Sequence, residues 1–183
     1  MPRALLALLL SLASPLLLAN SDLRLREAAF APQVAQLERK NQAVLTYLWA
    51  DVYAAALYTP NGISPREALN GPHAKRLELY YFRNIARSDV IKAAWLTLER
   101  QLDAQRLTAL RDELDALHAT FEDIRPGDRY ALDYDRERGL RLLRNGETAF
   151  RSANPELADA YLGIWLAPDG LSDKLRDQLL AGQ

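Results

Sequence analysis

LTYLWADVYAAALYTP, residues 45–60, decides how this chain is read. It is rich in aromatic and β-branched residues, carries no Gly or Pro before its end, and runs into the turn signal Pro60-Asn61-Gly62. That is the composition of a strand and its terminator. Side chains alternate along a strand, so Thr46, Leu48, Ala50, Val52, Ala54 and Ala56 share one face. Leu45, Tyr47, Trp49, Asp51, Tyr53, Ala55 and Leu57 share the other. Both faces are largely apolar, which predicts one central strand over residues 45–58, covered on each side. The alanines predict close approach from one side, by a helix or by a ligand.

Working outward, LELYYFRNI (77–85) alternates again, with Leu77, Leu79, Tyr81, Ile85 and Arg83 on one face. Upstream, residues 23–37 begin the mature fold, with Phe30 and Val34 as anchors. Ser88 is a suitable N-cap for a helix starting near Asp89. From there to Phe121 the period is helical, with Leu107, Leu110, Leu114, Leu117 and Phe121 as the apolar stripe and a break between 102 and 107. Pro126-Gly127-Asp128 turns into a half-exposed strand through Tyr130, Leu132 and Tyr134. Asn145-Gly146 marks a two-residue hairpin, because both central positions of that turn require positive φ. Asn154-Pro155 starts a helix to about Trp165, and Ser172 caps a last short one. Strands, helices, a strand meander and helices again make an α+β chain.

Residues 1–21 read as an export signal: Arg3, an apolar run of Leu and Ala, and the small pair Ala19-x-Ser21. Cleavage is expected after Ser21, with Ala19 the alternative. That leaves 22–183 as a single domain, periplasmic or secreted, with no stable membrane anchor once the signal is removed. The apolar run is shorter than the ~20 residues a bilayer-spanning helix needs. The 183 residues include no Cys, so stability rests on an ordinary core. Losing Arg3 leaves 22 basic against 24 acidic residues, a net charge of −2. Such a balance argues against a nucleic-acid partner, since phosphate neutralisation needs a cationic face.

The usual catalytic signatures are missing. The two histidines, His73 and His118, are neither paired nor spaced as ligands, so no metal site is expected. The carboxylates from Glu122 to Asp135 lack the alternating ligands of a calcium loop and read as a solvated turn region. There is no thiol, no G-x-S-x-G and no glycine-rich phosphate loop. Arg83, on an apolar strand face, either closes an internal ion pair or, with a Tyr hydroxyl, holds a carboxylate. Trp95 and Trp165 at helical positions read as core before they read as ring stackers.

Four segments in order resemble the chalcone isomerase-like family, in the manner of an exported bacterial member: DVYAAALY (51–58), LELYYFRNI (77–85), FEDIRPGD (121–128) and YLGIWLAPDG (161–170). The resemblance implies an open-faced β-sandwich, a curved antiparallel sheet with helices packed on one face and a cleft between them. Plant chalcone isomerases close a flavanone ring without a cofactor, using an Arg, a Thr and, on a following segment, a Tyr and an Asn. By position the first three fall near Leu45 or Thr46, near Leu48, and near Val90 or Ile91, none of which keeps the required group. Related non-catalytic members bind fatty acids through an Arg and a Tyr, and the matching Arg is absent unless Arg83 substitutes. The comparison also turns the face of Thr46, Leu48 and Ala50 toward the cleft. The expectation is a cofactor-free protein, leaning away from catalysis, that binds a small apolar or amphipathic, fatty-acid-like ligand. The cleft candidates are Thr46, Leu48, Ala50, Tyr81, Arg83 and Trp95. Two alternatives stand beside it: an isomerase or lyase with an unknown substrate, and a structural or interaction protein whose own side chains fill the cleft. The sequence names no protein partner.

Overall fold

The structure, a computed structural model, describes residues 13–182, with side chains from Asn20 onward. Helix α1 (Ala13–Ala28) leads into strands β1 (Gln33–Val34), β2 (Leu37–Tyr47) and β3 (Ala50–Pro60). The short helix α2 (Pro65–Asn70) and strand β4 (Lys75–Tyr81) follow, then helices α3 (Arg87–Gln101) and α4 (Ala104–Ala119). Strands β5 (Arg129–Asp135), β6 (Gly139–Arg144) and β7 (Glu147–Ser152) precede helices α5 (Pro155–Leu166) and α6 (Asp173–Leu179). The seven strands form one curved sheet in chain order, every pair antiparallel. The β2–β3 register shifts twice, at Lys40 in β2 and at Val52 in β3, where an extra residue bends each strand. The expected α+β class and open-faced sheet with helices are what the chain forms.

Residues 45–58 are not one strand. The chain reverses at Leu48-Trp49, where both residues take positive φ (44° and 65°), and Tyr47 pairs with Ala50. That is the mirror-image turn a two-residue hairpin requires, built without the Asn or Gly that usually signals it. The expectation of a central, doubly covered strand holds for β3 alone, which is buried from Tyr53 to Thr59. The second hairpin follows its sequence signal, with Asn145 and Gly146 at φ 49° and 87°.

Two apolar layers flank the sheet. On the inner face Tyr53, Ala55, Leu57, Leu77, Leu79, Leu132 and Leu142 pack against α3–α6. The leucine stripe of α4 holds, with Leu110, Leu114 and Leu117 all buried. Helix α5 is buried around its whole circumference from Ala160 to Ile164, with Asp159 left exposed, as expected for a helix lying between a sheet and an outer helical layer. On the outer face Ala54, Ala56 and Tyr58 meet Ala28 and Phe30, so α1 covers the side that the one-sided arrangement leaves bare.

Helix starts follow local chemistry. The side chains of Ser64, Asp103, Asn154 and Ser172 each accept a hydrogen bond from a first-turn backbone N–H. Ser88 is not a cap: α3 begins a residue earlier, and the Asp123 carboxylate accepts from Arg87 N at 2.9 Å. The expected export signal lies mostly outside the described residues. α1 runs without a break through Ala19 and Ser21.

Candidate functional site

Between the inner face of the sheet and helices α3 and α5 lies a cavity of about 360 Å³. Its walls come from the inward rungs of β2–β6, where Tyr53 pairs with Tyr81, Leu79 with Tyr130 and Leu77 with Leu132. The roof is Val90 and Ala94 of α3 and Tyr161, Ile164 and Trp165 of α5, with Phe121 and Ile85 closing one side. Tyr47 also lines it and is two-thirds exposed, which puts the opening beside the β2–β3 turn, with exposed Asp89 on its rim.

The polar content of this space is almost wholly phenolic. Tyr53, Tyr81, Tyr130 and Tyr161 all border it. Tyr53 meets Tyr81 edge-on at 5.3 Å between ring centroids, Tyr81 meets Tyr130 at 6.0 Å, and Phe121 stacks on Tyr130 at 5.4 Å. Trp165 Nε1 donates to Tyr53 Oη at 3.0 Å, fixing both rings. Burial raises the pKa of all four hydroxyls, so they remain protonated at neutral pH and act as hydrogen-bond donors or acceptors. Among the described residues no Lys, Arg or His borders the cavity. His118 lies behind the wall, 3% exposed, among Trp95, Phe121 and Tyr161, and burial pushes its pKa down to about 4. The arrangement can enclose an apolar body and meet one polar atom with a phenol. Among its described groups the one candidate general base is Asp89, which stands exposed on the rim and not beside the buried phenols.

Of the six residues expected at the cleft, only Tyr81 lines it. Thr46 points the other way and donates to Asp51 Oδ1 at 2.7 Å, a carboxylate that also takes Asn20 Nδ2 at 2.7 Å and Arg24 Nε at 3.2 Å. Leu48 is in the hairpin turn and exposed, and Ala50 opens β3 beside it. Arg83 follows the end of β4, is exposed, and donates from Nε to the Asp51 carbonyl at 3.1 Å. Trp95 packs on His118 at 5.2 Å, beneath the Arg111 guanidinium at 4.5 Å, and does not reach the cavity. The residues of β2 and β3 that face the cavity are Leu45, Tyr47, Val52 and Tyr53, so of the even-numbered face only Val52 reaches it, and the expected Thr46, Leu48 and Ala50 do not. Of the positions aligned with the plant catalytic groups, Leu45 and Val90 do border the cavity, and both are aliphatic. Tyr130, Tyr161 and Trp165 were not picked out by sequence. Tyr161 and Trp165 are four apart on one helix, which is the signal that places both on one face.

The fold and its enclosed apolar chamber define an open-faced sheet-and-helix protein with a chalcone isomerase-like architecture. Residues 26–181 match the chalcone isomerase-like family, and the chain belongs to it. Among solved structures it is similar to a fatty-acid binding protein of Arabidopsis thaliana, with a TM-score of 0.62 and 12% identity over 82% of this chain and 90% of that one. At that identity the likeness is one of fold. No curated protein matches the sequence.

Proposed function

We propose that this protein binds, without transforming it, a small molecule with a long apolar body and one polar end. The observation that carries the reading is a cavity of about 360 Å³ whose polar groups, among the described residues, are tyrosine hydroxyls held protonated by burial, the Trp165 indole N–H bound to one of them, and the Asp89 carboxylate out on the rim. Small-molecule sites run from about 300 to 1,000 Å³ and are mostly apolar with few oriented polar groups. The void weighs against a cleft filled by its own side chains, and the protonated phenols weigh against an isomerase or lyase. The Arabidopsis relative by fold is a fatty-acid binding protein, which supports an acyl body for the ligand. With no cation among the described residues of the cavity wall, a buried carboxylate would lack a partner for its charge. A neutral head, such as a hydroxyl, an ester carbonyl or a protonated acid, fits the tyrosines better. The leader at residues 1–21 supports action outside the cytoplasm, to be checked by N-terminal sequencing of protein recovered from culture medium and periplasm.

Native mass spectrometry of the purified protein, followed by organic extraction, tests the ligand. A co-purifying neutral or acyl species, lost in Ala94→Trp, is expected, since the indole would occupy the chamber. A folded protein that carries no ligand and binds neither acyl nor aromatic probes would refute the reading.

A further inference from the structure

The β2–β3 turn is the most exposed apolar feature of the described molecule. Tyr47, Leu48 and Trp49 are consecutive and 67%, 66% and 95% exposed. Leu48 and Trp49 both sit in the left-handed region, at φ 44° and 65°, where residues with side chains are strained and where Asn-Gly would form the same turn without that cost. A strained backbone that displays a bare indole is an outlier from which function can be inferred. Packing does not explain it, because the Trp49 ring is almost wholly in solvent.

The direction of α1 supplies the partner's chemistry. Asn20 and Arg24 meet Asp51, two residues past the turn, while Ala28 and Phe30 meet the far end of β3 near Tyr58. Helix α1 therefore runs along β3 with its N-terminal end toward the turn. At 1.5 Å per residue, the helical residues 13–19 extend about 10 Å past Asn20 in that direction. Those residues read ASPLLLA and continue an apolar sequence from Ala4. The N-terminal end of α1 and the Tyr47-Leu48-Trp49 tip thus lie at the same end of the sheet. No described helix is long and apolar enough to cross a membrane. Charges flanking the tip nearly cancel: Arg83 bonds the Asp51 carbonyl, Asp89 stands on the cavity rim, and the Asp51 carboxylate is already met by Arg24. A surface of Trp, Tyr and Leu with little net charge suits the interfacial layer of a bilayer, where amphipathic rings sit at headgroup level.

We infer that the β2–β3 tip docks this protein on a lipid bilayer, inserting Leu48 and Trp49 to interfacial depth. Tyr47 belongs both to the tip and to the cavity mouth, so docking turns the opening toward the lipid. The inference does not depend on what the cavity holds.

The test uses the full chain and vesicles of zwitterionic phosphatidylcholine, with and without dibrominated acyl chains. Wild type should co-sediment with vesicles, its Trp emission should be quenched by the brominated lipid, and salt should change binding little. Leu48→Asn/Trp49→Gly replaces the tip with the residues its turn prefers, so the fold should persist with a thermal midpoint no lower than wild type. Its partitioning should drop about tenfold or more, as expected for losing two inserted apolar side chains. Trp49→Ser, which keeps Leu48, should fall between the two. Wild type that does not sediment, or a folded double variant that partitions equally well through its leader alone, would overturn the inference. So would self-association in analytical ultracentrifugation that depends on Trp49 without any lipid binding, since a second copy would then be the occupant.

Discussion

His118→Phe should abolish a specific loss of stability in mild acid. The imidazole is 3% exposed, surrounded by Trp95, Phe121 and Tyr161 at 5.2, 6.1 and 5.7 Å between ring centroids, and neither ring nitrogen has a hydrogen-bond partner. Burial is the main cause of its low pKa of about 4, with Arg111 and Arg87 acting in the same direction and Asp115 opposing them. In the unfolded chain the same group titrates near 6.5. Above pH 6.5 both states are neutral and the residue contributes its full packing. Between 6.5 and 4 the unfolded chain takes up a proton that the folded chain refuses, so stability falls as pH is lowered through that window. From pH 7 to pH 5 the loss comes to about 2 kcal/mol, given 1.36 kcal/mol per pKa unit. The carboxylates with lowered pKa, Asp51 and Asp128, lose their contributions only at lower pH, outside the window. Urea unfolding at pH 7 and pH 5 measures the effect. Phe conserves the ring and its neighbours, and the variant should show a shift between the two pH values smaller by about 2 kcal/mol. Equal pH shifts in wild type and variant would refute the claim that His118 is buried neutral.

Two further outcomes follow from contacts already described. Tyr53→Phe leaves Trp165 Nε1 without its acceptor at 3.0 Å and should cost about 1–3 kcal/mol in urea unfolding; a neutral effect would mean that water or ligand already satisfies the indole. Gly139→Ala forces a Cβ to within 2.1 Å of the Ser152 carbonyl at φ +73°, and should cost about 2–4 kcal/mol from overpacking and left-handed strain together. An unchanged thermal midpoint there would show that β6 and β7 part more readily than their register implies.

What could be read from sequence was whatever local chemistry enforces. Asn145-Gly146 requires its turn, Asn154-Pro155 its helix start, and the period of Leu110, Leu114 and Leu117 its buried face, and all three form as read. The β2–β3 hairpin was hidden because Leu48 and Trp49 contradict the preferences of the turn they make. The alternation that groups Leu45, Tyr53, Ala55 and Leu57 survives the reversal, whereas Thr46, Leu48 and Ala50 were turned to the cleft by the resemblance alone and do not line it. Asp123, which caps α3 from 36 positions away, illustrates the other limit: a side chain delivered by tertiary folding can replace a local cap, and Ser88 then goes unused. The tyrosines of the chamber are dispersed over β3, β4, β5 and α5, and only the sheet register brings Tyr53, Tyr81 and Tyr130 together.

The strictly sequential order of the sheet governs how the chain can assemble. Six of its strand pairings join neighbours in the chain, and most close over short turns, where the entropic cost of bringing the ends together is small. Two do not: β3 and β4 are joined through residues 61–74 with α2, and between β4 and β5 the chain makes a far longer departure through residues 82–128 to form α3 and α4. The β1–β4 and β5–β7 halves can therefore form early as separate meanders. Joining Leu79 to Tyr130 across that excursion should be the slow step of folding. The same rung lines the cavity, so the chamber comes into being only when the two halves meet.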